Sequence, residues 1–365
     1  MTMKLAIIGG DGIGPEVTNA ALNVLAAAGK ADGFVYTTTE FPFSAEHFLK
    51  TGHVLTDEDI ATLRGYDAIV LGAVGGKPND PRLAGGVIEK GILLKLRFDL
   101  DQYVNLRPVK LYPGIETPLR NKTEKDIDFI CVRENTEDLY VGMGGIMRKG
   151  TPHEVAEQTM VATRFGAERC IRYAFEVVLS RKRLGYRGQL TLVHKTNVLT
   201  FAGETWHRTF MDIAKQFPGV TTNYHHVDAC CMYMVASPEV YDVIVVPNMF
   251  GDIITDLGAA IAGGMGIAAS GNLNPDGTAP SMFEPVHGSA PDIAGQNIAN
   301  PIAAIDSIGL MCREVGRIKG NDAAVKAGER IGQAVRKVTP KFAGKKLDRS
   351  GYKTDEIGKM VIDLL

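Results

Sequence analysis

Short apolar runs of strand length alternate along this chain with stretches of helical period. That alternation restricts it to an α/β architecture in which helices cover a largely parallel sheet. Runs at residues 5–8, 34–38, 68–71, 129–132, 190–193, 222–226 and 243–246 read as strands. Between the first two, residues 16–28 set Val17, Ala20, Ala21, Val24 and Leu25 on one helical face. Further helices are expected at 157–180, 303–315, 323–338 and 355–364. A glycine-rich stretch after Tyr140 interrupts the rhythm and reads as an arm or a contact between copies. The 365 residues leave room for about two domains, with no low-complexity linker between them.

Composition removes several function classes. Lys plus Arg is 40 and Asp plus Glu is 42, a net charge of −2 with no electrostatic footprint for nucleic acid or an anionic membrane. Cys131, Cys170, Cys230, Cys231 and Cys312 are odd in number and lack C-x-x-C spacing. This argues against a disulfide framework or structural zinc and fits a reducing cytoplasm. The run at 5–8 leads into glycines and is no signal peptide, and the apolar stretch 257–269 is too short and glycine-rich to span a bilayer.

The cluster G-G-D-G-I-G-P-E at residues 9–16 follows a strand and opens a helix, the setting of a dinucleotide fingerprint. Its glycines never make G-x-G-x-x-G, however, and Pro15 occupies the place of the third, so a standard Rossmann loop is disfavoured against a tight turn. Arg97, Arg107 and Arg133 stand near element ends, where their planar forks suit a small di- or tricarboxylate. Asp252 and Asp256 are four residues apart at the start of an apolar helix and so share a face. Either the helix dipole or a cation compensates that repulsion; with Asp228 as a third oxygen donor the cation is Mg²⁺ or Mn²⁺, while Cys230 and Cys231 read as core residues. Lys195 ends a strand in V-H-K-T-N and, with Tyr140, is the polar residue best suited to proton transfer.

Taken together, G-G-D-G-I-G-P-E, L-L-K-L-R, N-L-R-P, V-R-E-N-T-E-D-L-Y, H-K-T-N, H-V-D-A, N-M-F-G-D-I-I-T-D-L and F-E-P-V-H-G-S-A-P-D-I-A-G resemble the β-decarboxylating dehydrogenases of the isopropylmalate and isocitrate family along essentially the whole chain. The resemblance implies a two-domain fold distinct from the Rossmann fold, with a mixed parallel and antiparallel sheet flanked by helices. Residues 1–102 and 263–365 would form a cofactor-binding domain, and 103–262 a smaller domain with a dimer arm. It implies a homodimer with shared active sites, in which Arg97, Arg107 and Arg133 hold the malate carboxylates. Asp228, Asp252 and Asp256 would hold the metal, with Asp228 also touching substrate, and Lys195 and Asp228 would come from the subunit opposite Asp252. Lys195 would be the base and Tyr140 the donor to C3. NAD would lie against Gly75 and Gly76, Glu284, His287, Gly288, Ser289, Ala290, Asp292 and Ile293, with Asn300 nearby.

The expected reaction is oxidative decarboxylation of 3-isopropylmalate to 2-oxoisocaproate, a step of leucine biosynthesis. Leu93 and Leu94 precede Arg97 where isocitrate enzymes tend to carry Ser and Asn, which favours an alkyl group at C3. The alternatives are another 3-substituted malate, isocitrate or tartrate, because Lys90 falls where a glutamate is common, with Glu89 one position off, and R-E-N-T-E-D replaces R-E-L-T-G-G. A noncatalytic regulatory subunit would be expected to lose metal or base residues that are present here. A phosphate-binding module would need the G-K-[ST] that is absent from the first glycine loop.

Overall fold

Successive side chains of a strand point to opposite faces of its sheet, and here that alternation creates the cleft. The computed structural model describes residues 2–345 and 351–365. Its strands are β1 (Met3–Gly10), β2 (Tyr36–Glu40), β3 (Ala68–Ala73), β4 (Val104–Lys110), β5 (Asp128–Glu134), β6 (Gly144–Met147), β7 (Val155–Gln158), β8 (Gln189–His194), β9 (Thr221–His226), β10 (Val243–Val246), β11 (Ala269–Leu273) and β12 (Ser281–Pro285). Ten of them form one sheet in the order β2-β1-β3-β12-β11-β4-β5-β10-β8-β9. Its two ends are parallel, while the central pairs β12–β11, β11–β4 and β4–β5 are antiparallel. The sheet is therefore mixed, and the largely parallel reading holds only toward its ends.

One face is covered by a continuous apolar core. Leu5, Ile7, Val70, Phe283, Leu106, Val132, Val245 and Leu192 meet apolar side chains of the helices Gly14–Asp32, Ile302–Lys319, Asp322–Val338 and Arg164–Arg183 there. The other face carries two separate cores. Ala6, Ile8, Ile69 and Met282 pack with Ile60, Leu63, Leu96 and Leu100 at one end. Cys131, Val193, Ile244 and Val246 pack with Cys230, Met234 and Ile254 at the other. Across the gap, Met282, Asn272, Asn105, Arg133 and Val246 are successive register partners, so a strip of buried polar side chains separates the two cores.

Two expectations need correction. The helix expected from residue 157 begins at Arg164, where the Thr163 hydroxyl caps it by accepting from the Gly166 N–H at 2.9 Å. Residues Val155–Gln158 instead pair with β6 in a two-stranded ribbon, and Ile146, Met147 and Val155 of this ribbon are exposed. Strands β4, β11 and β12 were not among the expected runs because polar residues interrupt their apolar alternation. Among the described residues, no helix is long and apolar enough to cross a membrane.

A buried ion pair anchors the far end of the sheet. Arg181 donates to Asp242 at 2.6 Å, and the same carboxylate accepts from the Gly188 N–H at 2.7 Å and the Gln189 N–H at 3.2 Å. Asp242→Ala leaves two amides without their acceptor, while Arg181 keeps the Asp128 carboxylate at 3.1 Å and its carbonyl at 2.8 Å, so urea denaturation should show a loss of about 2–3 kcal/mol. A loss below about 1 kcal/mol would mean that solvent reaches the site.

Candidate active site

The helix Asn248–Ile261 supplies the acidic side of the cleft. It starts at Asn248, so Asp252 and Asp256 lie beyond its first turn and the dipole does not account for them. Arg133, at the end of β5, donates to Asp252 at 2.5 Å and to the Asn248 backbone and side-chain oxygens at 2.8–3.0 Å. Gly251 makes this approach possible, since a Cβ there would stand 2.4 Å from Cγ of Arg133. The Tyr140 hydroxyl donates to the second Asp252 oxygen at 2.7 Å. Burial, and then that bond, push the hydroxyl up to about 12, so it keeps its proton at neutral pH. Burial works to raise the Asp252 carboxyl, but Arg133 foremost, then Tyr140, Arg107 and Arg97, bring it below its ordinary value.

Arg107 and Arg97 complete the basic side. Arg107, on β4, donates to Asn105 at 2.8 Å and stands 3.8 Å from Asp256. Arg97, in the short helix Lys95–Asp99, donates to Glu284 of β12 at 3.3 Å and leaves its buried Nε without a partner. Arg97, Arg107 and Arg133 are 4%, 8% and 1% exposed. Burial first, then the neighbouring guanidinium charges, lower the proton affinity of Arg107 to about 10, and Arg97 shifts the same way. A gathering of buried cations is relieved by a ligand with several negative charges.

Lys195 and Asp228 form a second pair. Lys195 donates to Asp228 at 2.7 Å, and that bond holds the Asp228 carboxyl below its ordinary value. Within one chain, among the described residues, no three His, Cys, Asp or Glu side chains gather as a metal site. The expected aspartate triad is thus not assembled by a single chain. Around Lys195 and Asp228 the surface is apolar, with Val198, Phe201, Met232 and Val235 exposed at 65%, 91%, 73% and 50%.

Five of the ten residues expected to hold a dinucleotide line two cavities, while Glu284, Gly288, Ser289, Ala290 and Asp292 line neither. The first, of about 570 Å³, is lined by His287, Ile293 and Asn300 together with Ile13, Gly264 and Met265. His287 Nδ1 lies 3.0 Å from the Gly288 carbonyl and must donate to it, which leaves the buried Nε2 as an acceptor with no partner. The second, of about 680 Å³, is lined by Gly75, Gly76, Leu83, Glu89 and Leu93. Residues Glu89–Leu94 form a π-helical turn, which is wider than an α-turn and absorbs an extra residue. Leu93 and Glu89 line the cavity, while Leu94 and Lys90 are not among its lining residues.

The first glycine loop joins these cavities as a tight turn. Gly12 has φ +60°, and a Cβ on it would meet the Ser289 carbonyl at 1.9 Å. Asp11 escaped the sequence analysis, yet its carboxylate accepts from the N–H groups of Ala45, Glu46 and Gly75 at 2.7, 3.0 and 3.0 Å. An acidic residue between glycines at the end of a buried strand was the available signal. Gly288, Ala290 and the exposed Asp292 complete the segment around Ser289.

Comparison with known proteins shows the family of the chain. The sequence model of the isocitrate/isopropylmalate dehydrogenase family matches residues 4–361. A 3-isopropylmalate dehydrogenase of Clavibacter michiganensis subsp. michiganensis is 52% identical over 365 residues, covering 100% of this chain and 98% of that one. A 3-isopropylmalate dehydrogenase of Corynebacterium glutamicum is 56% identical over 314 residues, covering 86% of this chain and 88% of that one. Among solved structures, the isocitrate dehydrogenase of Methylococcus capsulatus superposes with a TM-score of 0.83 at 33% identity, over 100% of this chain and 99% of that one.

Proposed function

We propose that this chain, which belongs to the isocitrate/isopropylmalate dehydrogenase family, carries out the NAD-dependent oxidative decarboxylation of 3-isopropylmalate to 2-oxoisocaproate. The observation that carries the reading is the gathering of the Arg97, Arg107 and Arg133 charges around Asp252, which Arg133 and Tyr140 bond directly, in a cleft between two cores. The arginines bind the malate carboxylates, and Leu93 offers an apolar wall to the C3 substituent. Leu94 follows it on the same turn. Residues 1–102 with 263–365, and residues 103–262, act as two domains on either side of the junction between β11 and β4.

The residues fit the two groups that the reaction needs. Asp252 and Asp256, with Asp228 of the partner subunit, offer the hard oxygen donors that suit Mg²⁺ or Mn²⁺. Ile293, Asn300 and the His287 Nε2 atom, which has no hydrogen-bond partner, suit a dinucleotide together with Gly75 and Gly76, and Glu284 would serve it from beside Arg97. Bound there, NAD would supply the acceptor for the hydride of C2 and the cation a Lewis acid for the C2 oxygen. Lys195 of the partner subunit takes the C2 hydroxyl proton, and Tyr140, which holds its own proton at neutral pH, delivers one to C3 after CO₂ leaves. The apolar surface around Lys195 and the exposed ribbon β6–β7 support a homodimer that completes each site.

The test is dinucleotide reduction measured at 340 nm across a panel of 2-hydroxy diacids. The expected outcome is the highest kcat/KM for 3-isopropylmalate, above isocitrate, tartrate and unsubstituted malate. Burying the branched alkyl group contributes roughly 2 kcal/mol over malate, about 30-fold. Asp292 lies next to Ile293 of the first cavity, where a 2′-phosphate would meet its carboxylate. NAD should therefore exceed NADP by about tenfold or more in kcat/KM. A higher kcat/KM for isocitrate or tartrate would reassign the substrate, and equal use of the two dinucleotides would remove the role of Asp292.

A further inference from the structure

Asn272 is fully buried on β11, the last strand of residues 263–365 before the sheet passes to β4. Its Oδ1 accepts from Nδ2 of Asn105 and Nδ2 of Asn135, both at 3.0 Å. Its own Nδ2 donates to Oε1 of Glu284 at 2.8 Å, the carboxylate oxygen to which Arg97 donates. Asn105 in turn accepts from Nε of Arg107, and Arg133 is the register partner of Asn105 on β5. One amide therefore reaches Arg97 through Glu284 and Arg107 through Asn105, from opposite sides of the junction. No site residue expected from the sequence does this.

We propose that Asn272 is a positioning residue that holds the Arg97 and Arg107 forks in one register for the two carboxylates of the substrate. The proposal rests on the reading of the arginine cluster given above. The amide is suited to the task because it donates and accepts at once. A carboxylate in its place keeps the acceptor for Asn105 and Asn135 but turns its other oxygen on Glu284, and two adjacent carboxylates share a proton at low pH and repel at high pH. The charged groups facing this position are Glu284 and, through it, Arg97; Arg107 stands behind Asn105.

The experiment is steady-state kinetics of the full chain carrying Asn272→Asp, with the diacid that the wild type uses best and NAD varied in turn. The KM for the diacid should rise about tenfold or more near pH 9 and return to within about threefold of wild type near pH 6. The KM for NAD, which Glu284 also serves, should rise less than the KM for the diacid. A pH-independent change, equal rises in both KM values, or no change overturns the role. Should this variant not fold, Asn272→Ser removes the relay without adding charge. It should then raise the KM for the diacid about tenfold at every pH, and an unmoved value overturns the role. A wild type that turns over no diacid defeats the underlying reading and this inference together, whereas normal turnover with an unmoved KM in the variant removes only Asn272.

Discussion

Asp252→Asn should lower kcat/KM by about three powers of ten while leaving the fold intact. The substitution keeps the side chain's shape and one oxygen facing Arg133, but it removes the charge that several guanidinium groups surround. It also turns the carboxylate oxygen that accepts from Tyr140 into a group with its own hydrogens to place. Loss of about 4 kcal/mol of transition-state stabilisation corresponds to this thousandfold change. Chelation with EDTA should silence the wild type to a similar degree, and added Mg²⁺ or Mn²⁺ should restore it. Full turnover in metal-free buffer would dismiss the role of the aspartates. Undiminished activity of Asp252→Asn would dismiss the whole acidic side of the cleft.

The second large effect is a recovery. Lys195→Ala alone should lose about a thousandfold, within the range for a missing proton-transfer group. If Lys195 serves the site built around Asp252 of the other subunit, a heterodimer of Lys195→Ala with Asp252→Asn keeps one site with both residues intact. Random re-pairing after mild dissociation then restores roughly a quarter of wild-type activity, from two preparations that are nearly dead. Native mass spectrometry can verify the exchange. Exchanged but inactive heterodimers would place each working site within one chain.

What could be read in the sequence, and what could not, follows from where polar groups are buried. β1, β3, β5, β8 and β10 emerge as apolar runs because they pack against helices, and the structure extends each or leaves it unchanged. β4, β11 and β12 carry Asn105, Arg107, Asn272 and Glu284, whose polar atoms bond to one another, so hydropathy alone passes over the very strands that build the cleft. The motifs marked Arg97, Arg107, Arg133, Asp252 and Tyr140, and the fold brings them together. Asp11 and Asn248 lie inside motifs that point to other residues, and Asn272 lies in none; each matters through backbone groups or partners remote in sequence. The π-turn at Glu89–Leu94 was also illegible, because periodicity analysis assumes an α-helix and cannot place one extra residue.

The junction between distant segments has a consequence for biosynthesis. In the finished sheet, Val70 of β3 pairs with Phe283 of β12, so the partner of this strand is made roughly 200 residues later. At about 5–20 residues per second, β3 waits roughly 10–40 s on the ribosome with one edge open. β1 covers its other side at once, so the exposed edge is apolar and ready to accept a strand from a neighbouring nascent chain. Chains released before Ser281 keep that edge permanently, and truncated products should be found in aggregates rather than as soluble fragments.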